Sequence, residues 1–335
     1  MSKQVSVQYR YLKTDGLPAA FDLKRAIVSC LQLPVEGSPA GTQARLRKIS
    51  LDQDGSFVVL NKVTAPADWG QPFFAGQLIH LHPGIDVPGY RGTLEEDVNE
   101  FVLENLRFED QLQLAKGILY FGAIGNHVGL IEGAAARGKT LERYLTAFFH
   151  RADQINEAAQ IVLPRMIPRT EGNQMSEIRS VKIGLGGPAL DEAVPVEERE
   201  VIRERAAAQE VERDPDLVRR LLQVIGASEE EVRGLERQVP EGGWLQAVLN
   251  VSVLNRTKRK QPIPRQYVEE VLRNVPDEEV ELFGSGRERA GMVGLKMSHR
   301  VGITGGLIEP EDAMTAIQTS LREWSQEGTI DCDFR

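Results

Sequence analysis

The spacing of apolar residues along the chain predicts short strands and amphipathic helices. From Val5 to Leu12, apolar and aromatic side chains recur at every second residue, which is the period of a strand. From Ala19 to Leu33 the apolar residues follow a helical period, and Pro34 marks the end of the helix. The chain therefore begins with a strand and a helix.

Two β-hairpins are predicted next. The strand-like runs from Ala44 to Ser50 and from Ser56 to Val63 flank Asp52-Gln53-Asp54-Gly55, and Asp and Gly tolerate the backbone of a tight turn. The segment from Gly117 to Gly133 contains two apolar runs joined by Gly125-Asn126, which has the same turn chemistry.

The remaining elements follow the same periodicities. Helical spacing is found from Leu94 to Leu106, from Leu141 to Phe149 and in a last helix that begins at Glu309-Pro310. Its apolar face carries Met314, Ile317, Leu321 and Trp324. Short strands are expected at Leu78–Leu81, Ile161–Leu163 and Ser180–Leu185. Together these elements predict an α+β fold with an antiparallel sheet.

The chain of 335 residues is long for one domain, and its composition changes once. From Asp191 to Arg213 it is rich in Glu, Arg and Ala, and it has almost no apolar stripe. We expect an N-terminal α+β domain over residues 1–190, a charged helical linker over 191–213 and a C-terminal α+β domain over 214–335.

The composition restricts the class of protein. No run of about 18 apolar residues is present, and the first residues have no signal-peptide pattern, so we expect a soluble cytoplasmic protein. Cys30 and Cys332 lie at opposite ends of the sequence and suggest neither a disulfide framework nor a metal site. We expect no cofactor.

One stretch is basic although the net charge of the protein is −9. Between Glu241 and Glu269 there is no acidic residue, and a short strand is followed by a loop bounded by Pro262 and Pro264. Clustered cations on such a loop are typical of proteins that bind phosphate backbones, although the loop could instead be a solvated surface that pairs with the acidic middle of the chain. The candidate DNA-binding residues are Arg256, Lys258, Arg259, Lys260 and Arg265.

A second candidate is the segment Gly133–Thr140, which satisfies the P-loop pattern between a predicted strand and a predicted helix. Gly138, Lys139 and Thr140 would then bind the phosphates and Mg²⁺ of a nucleotide. However, no later apolar run ends in an Asp that could hold magnesium, and no alternating βα units are predicted. The preceding residues also fit the second strand of a hairpin better than a central parallel strand.

No other motif indicates catalysis. Asp22-Leu23-Lys24 has the acid-x-Lys order of nucleases, but it lies within a predicted helix and has no partner acid. No Gly-x-Ser-x-Gly elbow is present. We therefore expect that the protein is not an enzyme.

The order of these segments resembles the RexA family of phage-exclusion proteins. The likeness runs through VQYRYLKTDG, FDLKRAIVSCLQL, the two hairpins, AQIVLPRMI, DLVRRLLQVIGASEEEV and the basic stretch, and it ends at KMSHRV and the last helix. It covers most of the chain in short collinear pieces. The linker 191–213 looks like an insertion, and the P-loop-like residues do not belong to the family's pattern.

The resemblance implies a homodimeric protein that binds double-stranded DNA and acts as the intracellular sensor of a prophage-encoded defence system, with a small membrane channel as its partner. The family's basic segment corresponds here to Arg256, Lys258, Arg259 and Lys260. Little base specificity is expected because no recognition helix accompanies the cations. Trp244, Leu245 and Val248 are candidates for the dimer contact. A P-loop NTPase and a module that docks an acidic protein remain the alternatives.

Overall fold

The computed structural model describes most of the chain outside its acidic middle. The described residues are 2–51, 56–83, 87–89, 104–106, 113–133, 136–166, 178–185, 229, 234, 247–275, 280–284, 289–291 and 294–334. They form an α+β fold in which antiparallel strand pairs are combined with helices. The linker expected over residues 191–213 lies outside the described residues.

The strands are numbered in chain order. They are β1 (Ser2–Tyr11), β2 (Pro34–Val35), β3 (Ser38–Pro39), β4 (Lys48–Ser50), β5 (Phe57–Val63), β6 (Phe73–Pro83), β7 (Val87–Gly89), β8 (Glu104–Leu106), β9 (Gln113–Ile124), β10 (His127–Ile131), β11 (Ser180–Leu185), β12 (Ala247–Val251), β13 (Val253–Leu254), β14 (Lys260–Gln261), β15 (Val280–Phe283), β16 (Arg289–Gly291), β17 (Lys296–Thr304) and β18 (Leu307–Ile308).

Four α-helices fall within the described residues. They are α1 (Leu23–Gln32), α2 (Gly138–Arg151), α3 (Arg265–Val271) and α4 (Pro310–Gln326). Asp22 caps α1, because its side chain accepts a hydrogen bond from the backbone N–H of Arg25 at 2.8 Å. Pro310 begins α4, where a missing N–H costs nothing.

The largest sheet has eight strands in the order β18-β17-β1-β10-β9-β6-β5-β4. The pairs β4–β5 and β9–β10 are antiparallel neighbours, so both predicted hairpins are confirmed. The turn residues 52–55 of the first lie outside the described residues. In the second, Gly125 has φ +53, a conformation that glycine adopts without strain. Asn126 then holds the start of α1, since its Oδ1 accepts from the N–H of Leu23 at 2.8 Å.

Helix α4 packs against β9 and β10 through the apolar face that the sequence predicted. Met314, Ile317, Leu321 and Trp324 are all buried. The helix approaches the sheet closely at Gly122, where a Cβ atom would lie 2.8 Å from Ile317 and 2.5 Å from the ring of Phe73. The glycine is therefore required by the packing of helix on sheet.

Several predicted elements differ from the structure, and three of them differ in their extent or type. Residues Ala44–Arg47 form a 3-10 turn, so only Lys48–Ser50 of the expected strand is extended in the sheet. The strand expected at Leu78–Leu81 is part of the longer β6. The helix expected over Leu94–Leu106 lies mostly outside the described residues, and its last three residues form strand β8.

The strand expected at Ile161–Leu163 is wrong, because no strand is assigned there. The segment is extended, and the carbonyls of Val162 and Pro164 accept hydrogen bonds from the N–H groups of Lys13 and Tyr11 at 3.0 and 3.2 Å. Pro164 has no N–H group that could donate a hydrogen bond in the other direction, so the hydrogen-bond pattern of a β-ladder is incomplete here.

The chain forms two compact units that are discontinuous in sequence. The first contains residues 1–5, 14–161 and 299–335, and the second contains residues 6–13 and 162–298. They differ from the contiguous domains 1–190 and 214–335 expected from the sequence, since the apolar face of α4 belongs to the core of the first unit.

The second unit contains a four-stranded antiparallel sheet in the order β12-β11-β15-β16. Its strands alternate, because Val181, Ile183 and Leu282 are buried while Lys182 and its neighbour Glu281 face the other side and form an ion pair at 3.4 Å. Among the described residues, no helix is both long and apolar enough to cross a membrane.

Candidate nucleic-acid interface

The basic stretch of the second unit folds as a β-hairpin. Strand β13 pairs antiparallel with β14, with Val253 opposite Gln261 and Leu254 opposite Lys260. Residues Asn255–Arg259 connect the two strands. We call Val253–Gln261 the basic hairpin. The sequence predicted an exposed loop after a strand, and the structure adds that this loop is an ordered hairpin tip.

Asn255 organises the tip. Its side-chain Oδ1 accepts hydrogen bonds from the backbone N–H of Thr257 at 3.0 Å, the backbone N–H of Arg259 at 2.9 Å and the hydroxyl of Thr257 at 2.8 Å. Its backbone carbonyl accepts from the N–H of Lys258 at 2.9 Å, and its N–H donates to the carbonyl of Arg259 at 3.0 Å. Asn is favoured at the first position of such turns because its side chain satisfies backbone donors two residues later.

Lys258 has φ +58, in the left-handed region that glycine usually occupies. A hairpin loop of this kind commonly ends with one left-handed residue that restores the register of the strands. A non-glycine residue in this conformation costs about 1–2 kcal/mol. A lysine therefore occupies a position where glycine would relieve backbone strain.

The cations at the tip are open to solvent. Arg256, Lys258 and Arg259 are exposed, and within the described residues their side chains make no hydrogen bond or ion pair. Three positive charges are thus held close together, and no carboxylate of the described chain is paired with them. An arrangement of this kind attracts a polyanion.

The other two candidate residues lie in different surroundings. The Nζ of Lys260 donates to the Oγ of Ser180 at 3.1 Å, so its side chain is held at the base of the hairpin. Arg265 is the first residue of α3 and is only partly exposed. The structure thus brings together Arg256, Lys258 and Arg259, and it separates Lys260 and Arg265 from the tip.

Neighbouring elements of the second unit anchor the hairpin. After β14, the N–H of Ile263 donates to the carbonyl of Ile178 at 2.6 Å, and Pro264 precedes the first residue of α3. Val268 of α3 and Leu272, which follows the last residue of the helix, are both buried. The base is therefore fixed by packing while the tip remains exposed.

Residues from the start of the chain also hold α3. The Nζ of Lys13 lies 2.6 Å from the Oε2 of Glu270, and the hydroxyl of Tyr11 donates to Glu269 at 3.4 Å. Burial, with a smaller contribution from Glu269, raises the pKa of Tyr11 to about 12. Tyr11 therefore stays protonated and acts as a hydrogen-bond donor at neutral pH.

The P-loop-like segment has a structural explanation. Strand β10, which precedes it, is antiparallel to β9, as the hairpin interpretation predicted. A Cβ atom at Gly133 would lie 2.3 Å from the carbonyl oxygen of Ile118, so glycine is required there by packing. Residues 134 and 135 of the segment lie outside the described residues.

The amino end of α2 already has an anionic partner. The backbone N–H of Gly138 donates to the carboxylate of Glu132 at 2.8 Å, in the place where a P-loop would bind phosphate. The Oγ1 of Thr140 accepts from the N–H of Arg137 at 3.4 Å, and Lys139 is exposed. This arrangement favours a capped structural helix over a nucleotide site.

The two cysteines are buried and free of each other. Burial raises the pKa of Cys30 to about 12 and that of Cys332 to about 11. Neither thiol forms the thiolate that a nucleophile requires at neutral pH.

Two of the candidate dimer residues, Trp244 and Leu245, lie outside the described residues. The third, Val248, lies in strand β12, but the structure does not describe its side chain.

Asn255 was not among the residues predicted from the sequence to form the site. The sequence did contain a signal for it, which is an Asn at the end of an apolar strand, followed two residues later by Thr and four residues later by Arg.

Comparison with known proteins adds no relative, because no protein-family model matches the chain and no curated protein matches it.

Proposed function

We propose that this protein binds double-stranded DNA through the basic hairpin, by contacting phosphates and with little base specificity. The observation that carries the proposal is the set of three exposed cations without ion-pair partners in the described part of the chain, Arg256, Lys258 and Arg259, on an ordered hairpin tip. Because the protein as a whole has a net charge of −9, binding is confined to this patch.

The conformation of the tip supports the same function. The hydrogen bonds to Asn255 fix the backbone before any ligand arrives, so less conformational entropy is lost when phosphates bind. Lysine at the strained position 258 also favours a functional role, because strained residues are concentrated at binding sites. A loop that serves only solubility requires neither the hydrogen bonds to Asn255 nor a lysine in a left-handed conformation.

The wider role rests on the resemblance to the RexA family. We propose that the protein is the cytoplasmic DNA-binding sensor of a phage-exclusion pair, that it acts as a homodimer, and that a small membrane channel is its effector. A dimer would place two basic hairpins along one duplex and about double the number of phosphate contacts.

Direct capture on duplex DNA tests the proposal. Wild-type protein should bind immobilised duplexes of unrelated sequence and equal A·T content with similar affinity, and Arg256→Ala combined with Arg259→Ala should reduce capture of all of them. A matched control is Lys3→Ala combined with Arg300→Ala, which removes two exposed cations from the first unit. Equal capture of the hairpin variant and the control would refute the proposal.

Two alternatives have their own readouts. If the hairpin docks an acidic protein, the purified protein will not be captured by DNA alone. If Gly138, Lys139 and Thr140 bind a nucleotide, calorimetric titration with ATP and Mg²⁺ will detect it, and the contact between Glu132 and Gly138 argues against that result.

A further inference from the structure

Two large aliphatic side chains flank the cations of the basic hairpin and are open to solvent. Val253 is 50% exposed and Leu254 is 53% exposed. Successive residues of a strand point to opposite faces, so both faces of β13 are open at this point. A hairpin lying flat on the protein would bury one of the two. The hairpin therefore projects from the second unit.

The exposure is concentrated in one part of the chain. Of the eight large hydrophobic residues exposed within the described part of the structure, Leu249, Val251, Val253 and Leu254 fall in a stretch of six residues that leads into the cationic tip. Single exposed apolar residues are ordinary, but four of them within six residues of sequence, beside three exposed cations, indicate a contact surface.

The partner of this surface must offer anionic and apolar groups side by side. The major groove of B-DNA does so, because phosphates line its two edges and the methyl groups of thymine project from its floor. It is about 12 Å wide and admits a two-stranded β-ribbon. The minor groove is about 6 Å wide, too narrow for two strands about 4.8 Å apart with their side chains.

We infer that the basic hairpin enters the major groove of duplex DNA, where Leu254, on the face of β13 that meets the groove floor, contacts thymine methyl groups while Arg256, Lys258 and Arg259 contact the flanking phosphates. This inference rests on the proposed function and adds the groove and the apolar contact. It gives the protein a mild preference for thymine in an otherwise sequence-independent interaction.

Replacing thymine by uracil tests this directly, because uracil removes the methyl group from the major groove and leaves the minor groove and the phosphates unchanged. Wild-type protein should bind an A·T-rich duplex more tightly than the same duplex with uracil in place of thymine. The expected factor is about fourfold for each thymine methyl group that the hairpin buries, because burying a methyl-sized group contributes about 0.8 kcal/mol. The measurement is fluorescence anisotropy at constant salt.

Variants then locate the contact. Leu254→Ala should bring the thymine-to-uracil affinity ratio close to one without changing the salt dependence of binding. Arg256→Ala combined with Lys258→Ala should weaken binding to both duplexes and keep the ratio. Leu33→Ala, which truncates a residue that is 40% exposed in the first unit, should change neither property.

The outcomes separate this inference from the proposed function. No binding to either duplex would overturn both. Binding that depends on Arg256 and Lys258 but does not distinguish thymine from uracil would overturn only the groove assignment. The same holds if Leu254→Ala dissociates a dimer and leaves the ratio unchanged, because the apolar residues would then belong to a protein contact. The comparison of thymine with uracil uses the wild-type protein, so its result does not depend on whether a variant folds.

Discussion

Asn255→Ala is expected to disorder the hairpin tip while leaving every cation in place. The substitution removes one side-chain oxygen that accepts three hydrogen bonds, from the N–H and hydroxyl of Thr257 and from the N–H of Arg259. Each such bond contributes about 0.5–1.5 kcal/mol, and water competes at an exposed loop, so about 0.5 kcal/mol each is appropriate. The ordered tip should lose about 1.5 kcal/mol.

That destabilisation should appear as weaker DNA binding. Because binding must then order the loop, we expect about a tenfold rise in Kd, and an unchanged slope of log Kd against log salt because the number of phosphate contacts is the same. Hydrogen exchange at the amides of Thr257 and Arg259 should become faster. The unfolding free energy should fall by no more than about 1.5 kcal/mol, since the hairpin opens locally.

Asn255→Asp is the matched control. It keeps the acceptor oxygen, so amide protection should persist, but its charge offsets one neighbouring cation and should make the salt dependence shallower. If Asn255→Ala left both exchange rates and affinity unchanged, the tip would not be pre-ordered by this residue, and the reasoning from its hydrogen bonds would be refuted.

Further tests come from Lys258, from Lys139 and from the oligomeric state. Lys258→Gly should keep the free energy of unfolding unchanged or raise it by about 0.5 kcal/mol, because the strain that glycine relieves is partly offset by its entropic cost. The same substitution should weaken DNA binding. Lower stability with unchanged binding would contradict the strain at this residue. Lys139→Ala should leave folding and DNA binding intact, and ATP hydrolysis abolished by this substitution would favour the nucleotide-binding alternative. Sedimentation at micromolar concentration should give a dimer, and a monomer with and without DNA would contradict the paired-hairpin arrangement.

Local signals explain which parts of the fold could be predicted. The hairpin around Gly125-Asn126 and the buried face of α4 follow from short-range patterns, since turn residues and apolar spacing are visible in one stretch of sequence. The failure at Ile161–Leu163 has a different cause. Its apolar residues suggest a strand, but its partners are at the start of the chain, and Pro164 removes a donor from the ladder.

The charges of the candidate site could be predicted from the sequence, but the arrangement of its residues in space could not. Composition alone located the five cations, because charge runs are visible in sequence. That Lys260 turns to Ser180 depends on a strand 80 residues away, which no local pattern indicates. The left-handed backbone of Lys258 was also unpredictable, because lysine is disfavoured in that conformation.

The salt dependence of duplex binding gives the number of phosphate contacts, so it is the most direct test of DNA binding by the basic hairpin. Arg256→Ala combined with Lys258→Ala should weaken binding to every duplex by a similar factor and make the log–log slope shallower by about 0.9 for each phosphate that is no longer neutralised. Folding should be unaffected, because exposed surface substitutions usually change stability by less than about 0.5 kcal/mol. The control Lys3→Ala with Arg300→Ala should keep the wild-type slope. A well-folded Arg256→Ala, Lys258→Ala protein with wild-type affinity and slope would contradict the account and place any DNA contact elsewhere.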